Sequence, residues 1–107
     1  MTQKTIPIQK YIYVVRTDYA DPLSEAEWNR WYSEVHIPDL LSVPGWLSSQ
    51  RYRALSGEPK YLTVHEIEDP RIFGSPAHQK VAGWGQWEDR IANFSRGIFT
   101  LMSKHDR

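Results

Sequence analysis

The chain has 107 residues, and its 13 lysines and arginines balance 13 aspartates and glutamates. That length makes one domain, residues 1–107, with a modest core; the lack of a basic stripe argues against nucleic acid as a partner, and no apolar run approaches the roughly 18 residues that cross a bilayer. With no cysteine present, disulfides, thiolate metal sites and a cysteine nucleophile are excluded, and a reducing cytoplasm is the expected compartment.

The N-terminal MTQKTIPIQK carries no apolar segment of the signal-peptide kind, so nothing in it points to secretion. Residues 10–17 (KYIYVVRT), aromatic and β-branched, read as a strand. A turn over residues 18–22 leads to a helix over residues 24–36. Ser24 and Glu27 have the spacing of a capping box, and Leu23 and Trp28 that of a hydrophobic staple. Trp28, Trp31, Tyr32 and Val35 recur at helical spacing as one apolar stripe. Pro38 disfavours helical geometry at Ile37, so the helix is expected to end near His36, at the edge of that stripe.

Residues 37–45 read as a connector closed by the turn Val43-Pro44-Gly45. Residues 46–54 form the second strand, residues 56–59 a hairpin loop, and residues 61–67 the third strand. Asp69-Pro70 and Ser75-Pro76 each place a capping residue before a proline suited to a first helical position. The second helical region is therefore broken, interrupted again at Gly83-Trp84-Gly85, with a last piece over residues 86–92. Residues 94–102 read as a fourth strand and residues 103–107 as a frayed tail. The order βαββαβ is the α+β, ferredoxin-like pattern: a four-stranded antiparallel sheet with helices on one face. Because Tyr11, Tyr13, Val15 and Ile12, Val14 make both faces of the first strand apolar, the bare face is expected to be buried in a homodimer.

The aromatic excess is the compositional outlier: five tryptophans and six tyrosines, suited either to core filling or to lining an apolar pocket. Among the titratable groups, His36 is the leading general acid/base. Its place in a last helical turn favours the imidazolium modestly, and the alternative is a histidine that caps terminal carbonyls. His65 lies mid-strand on the same face as Tyr61, Thr63 and Ile67, and alternation alone does not say whether that face looks at the helices. Tyr13, Tyr32, Tyr52 and Tyr61 are hydrogen-bond donors for a substrate carbonyl or enolate, Tyr61 being grouped with His36 and His65 as the catalytic set. Tyr13, Trp31, Tyr32, Arg51, His78 and Trp84 are the candidate ligand contacts. His105 falls in the tail and is discounted. No metal site is expected, since the histidines are scattered and His65-Glu66 lacks the second histidine of a zincin. No phosphate loop, nucleotide fingerprint or nucleophile elbow is present, so no cofactor is expected either.

The segments WYSEVHIPDLLSVPGW, QRYRA and PKYLTVHEIEDP resemble the EthD-like group of small dimeric α+β-barrel proteins over nearly the whole chain, most specifically in H-I-P-D-L-L-x-V-P-G. That superfamily includes methylmuconolactone isomerases, polyketide cyclases and dehydratases, and cofactor-free quinone-forming monooxygenases. The lactone isomerases resemble this chain in a histidine at the end of the first helix and a Pro-Gly before the second strand, here His36 and Pro44-Gly45; the cysteine those enzymes use is absent. The resemblance implies a cofactor-independent enzyme that moves a proton on a small aromatic, lactone or polyketide-like metabolite. The alternative is a non-catalytic small-molecule-binding or accessory dimer. An enzyme requires at least two polar groups converging on one cavity, whereas a binding module requires only apolar walls.

Overall fold

The structure is a computed structural model that describes residues 10–107; the reading of the N-terminus lies, but for Lys10, outside the described residues. Four strands, β1 (Tyr11–Tyr19), β2 (Trp46–Arg53), β3 (Tyr61–Ile67) and β4 (Ile91–Thr100), form one sheet in the order β2-β3-β1-β4 with every neighbouring pair antiparallel. The helical segments α1 (Glu25–Trp31), α2 (Ile37–Leu41) and α3 (Pro76–Val81), with 3₁₀ turns at Pro70–Gly74 and Gly85–Arg90, complete the ferredoxin-like α+β arrangement. The strand alternation was legible to the residue for β3, while β4 begins three residues earlier than its sequence suggests.

The first helical region departs most from expectation. It does not stop at His36 but runs on to Leu41 through a π-helical turn, Tyr32–His36, in which the Ile37 N–H reaches back to the Tyr32 carbonyl. The extra residue in the turn accommodates Pro38, which has no N–H to give and whose ring would crowd the carbonyl four residues earlier in an α-helix. Val35, expected on the apolar stripe, is left exposed and His36 is buried instead. At the start of α1 the capping box and staple do not form. Leu23 is almost wholly exposed. The Ser24 hydroxyl turns away from the helix to Asp21 Oδ2 (2.8 Å) and the Tyr19 hydroxyl (2.6 Å). Asp69 and Ser75, by contrast, do cap, accepting from the backbone N–H of Arg71 and His78. Gly45 follows Pro44 with φ of +93°, a conformation glycine adopts without strain.

The register assigns the faces. Tyr13, His65 and Ser49 lie abreast on the helix-covered side, as do Val15, Thr63 and Arg51. Ile12, Val14, Leu62, Val64 and Phe99 point the other way. Between Arg16 and Asp18 the pairing with β4 shifts, and there the Thr17 hydroxyl donates to the Ala92 carbonyl (3.0 Å).

Helix stripe and connector must share the sheet face, which predicts one continuous core joining Trp28, Trp31 or Tyr32 to Leu40 or Leu41; the core is instead divided in two. One cluster gathers Tyr19, Trp28, Tyr32, Tyr61 and Trp87. The other gathers Leu40, Val43, Trp46, Ile67 and Ile72. Leu40 therefore packs apart from Trp28, and Leu41 is exposed. Along β3 the reason is plain: Tyr61 belongs to the first cluster and Ile67 to the second, while the polar Thr63 and His65 occupy the floor between them.

Trp28 is wholly buried, stacked on Tyr19 (ring centroids 4.8 Å) and edge-on to Tyr61 (5.0 Å). Replacing it with alanine is expected to cost about 3–5 kcal/mol of unfolding free energy, the usual loss for a large buried aromatic. Urea denaturation checks this, and a loss below about 1 kcal/mol would place the residue in a surface-like environment.

Candidate active site

Between the two clusters lies a cavity of about 290 Å³, the lower end of the range for small-molecule sites. Its floor is Tyr13 and Val15 of β1 and His65 of β3. One wall is Tyr32, His36 and Leu40 from the first helical region; Trp46 and His78 close the end beside the second cluster. The irregular stretch Ala82-Gly83-Trp84 forms the roof, where the interrupted second helical region leaves room, and Glu88, Phe94 and Arg96 form the rim. A shallower groove of about 470 Å³ continues from it along β4, sharing Tyr13, His78 and Arg96.

The π-turn places His36 here. At the α-helical 100° per residue, positions five apart point about 140° away from each other. A π-turn, closing its hydrogen bond over five residues, returns them to one side. The Trp31 and His36 rings accordingly stack, 4.9 Å apart and 11° from parallel. Tyr32 stands edge-on to the same imidazole (5.2 Å), and Trp84 lies beyond it (6.4 Å). His65 stacks with Tyr13 (5.6 Å) and meets Trp46 edge-on (4.9 Å); His78 lies flat against Trp46 (5.6 Å).

Burial controls the charge. Desolvation pulls the His36 pKa down to about 4, with the nearby Asp39 carboxylate opposing and His78 and Arg51 reinforcing. It pulls His65 down to about 3, His36 and His78 adding to the effect. His78 is lowered too, again chiefly by desolvation. At neutral pH the His36 and His65 rings are neutral acceptors of a proton, the reverse of the imidazolium favoured by a helix end. The helix does not end at His36, and dehydration outweighs a dipole effect of at most about 2 kcal/mol. The Tyr32 phenol is raised by burial, with Thr63 and Arg51 acting against it.

Six of the residues singled out from sequence meet on this cavity: His36, His65, Tyr13, Tyr32, His78 and Trp84. The other four, Tyr52 among them, do not. Tyr61 turns into the first cluster, where its hydroxyl is held by Glu25 and by Asn29 Nδ2 (2.9 Å). Four strand positions from His65, it is about 13 Å along the sheet. Trp31 stands behind His36 and supports its ring. Arg51 lies beneath Tyr32, 4.2 Å from the ring centroid, with its guanidinium bonded to Asn29 Oδ1 (2.7 Å) and Ser33 Oγ (3.0 Å). Sequence reasoning missed Trp46, Phe94, Glu88 and Arg96. Arg96 pairs abreast of Val15 on the covered face, and among the described residues its guanidinium makes no hydrogen bond or ion pair. Also among the described residues, no three His, Asp or Glu side chains are placed to hold a metal ion, and no helix is long and apolar enough to cross a membrane.

No protein-family model matches the chain, and no curated protein matches it either. Solved structures do. The cofactor-independent oxygenase SnoaB from Streptomyces nogalater aligns over 92% of this chain and 97% of its own, with a TM-score of 0.64 and 14% identity. A dabb family protein with a ferredoxin-like fold from Mesorhizobium loti aligns over 89% and 99%, with a TM-score of 0.67 and 14% identity. An EthD family protein from Bacillus halodurans aligns over 88% and 99%, with a TM-score of 0.63 and 13% identity. At these identities the likeness is one of fold alone: the chain has the ferredoxin-like α+β architecture.

The depressed histidines make stability pH-dependent in one direction. Their folded pKa values lie below the unfolded value of 6.5. Between the two, the unfolded chain binds protons that the folded chain refuses, so stability is full above pH 6.5 and falls as the pH drops toward 4. Each ring is expected to cost on the order of 3 kcal/mol by pH 4. Urea midpoints should stay level from pH 7.5 to about 6.5 and fall from there to pH 4.5, and His36→Gln should flatten that fall; a midpoint independent of pH would show the rings to be hydrated.

Proposed function

We propose that the protein is a cofactor-independent enzyme acting on a small aromatic, lactone or polyketide-like metabolite by histidine-mediated proton transfer. The observation that carries this reading is the convergence of two buried, neutral imidazoles, His36 and His65, on one aromatic-walled cavity. A plain binding site gains nothing from burying two titratable rings, whereas a base needs to be unprotonated and within reach. His36 takes the proton. With so depressed a pKa it is a weak base, suited to an acidified proton: a phenol, or a C–H flanked by carbonyl groups. Tyr13, Tyr32, Trp46 and Trp84 hold the ring of the ligand, and Arg96 at the mouth supplies a cation for any carboxylate that projects outward.

One anion leads to several products. Reprotonation at another carbon gives isomerisation, loss of hydroxide gives dehydration, attack on a carbonyl gives cyclisation, and reaction with dioxygen gives a quinone, one oxygen atom entering the ring and the other leaving as water when the O–O bond breaks. The fold shared with SnoaB, a cofactor-independent oxygenase, supports including the last. A metabolite screen by thermal shift supplies the substrate. With it, His36→Gln should retain the native circular dichroism yet lower turnover by about 100-fold or more, the usual size of a general acid/base contribution. Unchanged turnover would leave an accessory binding protein.

We also propose that the working form is a homodimer joined through the helix-free sheet face, in the cytoplasm that a cysteine-free chain suits. Ile12, Val14, Leu62, Val64 and Phe99 form the apolar centre of that face, which the described residues leave without a second layer. Sedimentation at micromolar concentration should give twice the 12.6 kDa chain mass, and Val64→Lys should give the monomer. A wild-type species of 12.6 kDa alone would refute the dimer.

A further inference from the structure

We propose that Ser49 and Trp46 hold His65 in its Nε2–H tautomer, so that the cavity floor offers a hydrogen-bond donor and the site takes a ring bearing an acceptor oxygen, a carbonyl or a phenolate. This rests on the ligand-binding role proposed for the cavity, and it divides the two histidines between unlike tasks.

The argument follows the protons. The Trp46 indole N–H can only donate, and it donates to Ser49 Oγ at 3.0 Å. Ser49 Oγ lies 2.6 Å from His65 Nδ1. Among the described residues it makes no other hydrogen bond, so its single hydroxyl proton has one acceptor available, His65 Nδ1. The opposite arrangement, with a proton on Nδ1, would aim two donors at the serine oxygen and leave the serine's own proton without an acceptor among the described residues. A donor left unmade away from water is costly. A neutral imidazole that accepts at Nδ1 carries its proton on Nε2. His65 Nε2 makes no hydrogen bond within the described residues, and it is not among the atoms sealed without a partner. The ring to which it belongs lines the cavity. Burial of the ring, which disfavours the imidazolium, agrees with this. His36 has no comparable partner on either nitrogen among the described residues and is free to accept. In this scheme Ser49 and Trp46 are positioning residues: they touch His65 and fix which face of its chemistry the ligand meets. As negative charge builds on the ligand oxygen, an N–H already aimed at it stabilises the charge without reorganisation.

The test is spectroscopic and needs no turnover. In protein labelled with ¹⁵N-histidine, long-range ¹H–¹⁵N spectra at pH 7 should show His65 Nδ1 as an unprotonated, pyridine-like nitrogen and Nε2 as the protonated one. Ser49→Ala should collapse this to a tautomer mixture, and Ser49→Thr, which restores a hydroxyl, should recover it. Acetophenone, which presents an acceptor oxygen and no donor, should shift the Nε2–H resonance. It should bind about fivefold or more tightly than ethylbenzene, the worth of one hydrogen bond. A protonated Nδ1 or an imidazolium in the wild-type protein overturns the proposal. So does a Ser49→Ala spectrum identical to wild type, an Nε2 resonance unmoved by acetophenone, or equal binding of the two probes. Loss of the catalytic reading through an active His36→Gln would leave the tautomer standing, so the two failures are distinct.

Discussion

A proline inside a helix has set the geometry of this protein. Pro38 cannot donate to Glu34, and the chain answers by widening one turn rather than by ending the helix. The widened turn rotates the residues at its end: Val35 goes to solvent, and His36 comes inward to lie on Trp31. A histidine that α-helical geometry would leave beside the apolar stripe becomes part of it, dehydrated and neutral. The turn also sends α2 on far enough to bring Leu40 over the second cluster. The position of His36, its charge state and the far wall of the cavity all depend on that one inserted residue.

The second constraint is the polar middle of β3. A strand reading apolar–polar–polar–apolar along its covered face cannot support one continuous core, and Thr63 and His65 part the aromatics into two groups. Each group is well filled, with rings at 4.7–6.3 Å in stacked, tilted and edge-on contacts. The unfilled space falls where the polar floor is, so the void is walled by groups able to meet a ligand. Such a site is bought with stability, because two imidazoles are kept from water at every pH where the unfolded chain would charge them.

How much of this the sequence carried depended on the kind of signal. The period-two pattern of residues 61–67 and the proline-and-cap pairs at Asp69 and Ser75 act locally, and both held. Six of the ten candidate residues met on one cavity because they share a face and a layer. Tyr61 shares the face but not the layer, and alternation has no term for distance along a strand. Pro38 reads as a stop in any one-dimensional account, since a π-turn shows only once the buried partners of Trp31 and His36 are known. Ser24 has the spacing of a cap, yet two tertiary partners, Asp21 and Tyr19, claim its hydroxyl. Arg96 and Phe94 were hidden because β4, an edge strand of mixed composition, gives no sign of which side looks inward.

The walls of the cavity are built to unequal standards. His65, Tyr13 and Val15 stand on strands paired on both sides, where any shift breaks a ladder of hydrogen bonds. Ala82, Gly83 and Trp84 stand on a stretch between two short helical turns, with Gly83 and Gly85 both at positive φ. Substitutions, insertions and deletions are far better tolerated there than in the sheet. Descendants of this chain can therefore reshape the cavity by redrawing the roof, while the floor of His65, Tyr13 and Val15 is held by the sheet. Selection can act on the two halves of the site at different rates, and divergence among such proteins should concentrate between α3 and β4.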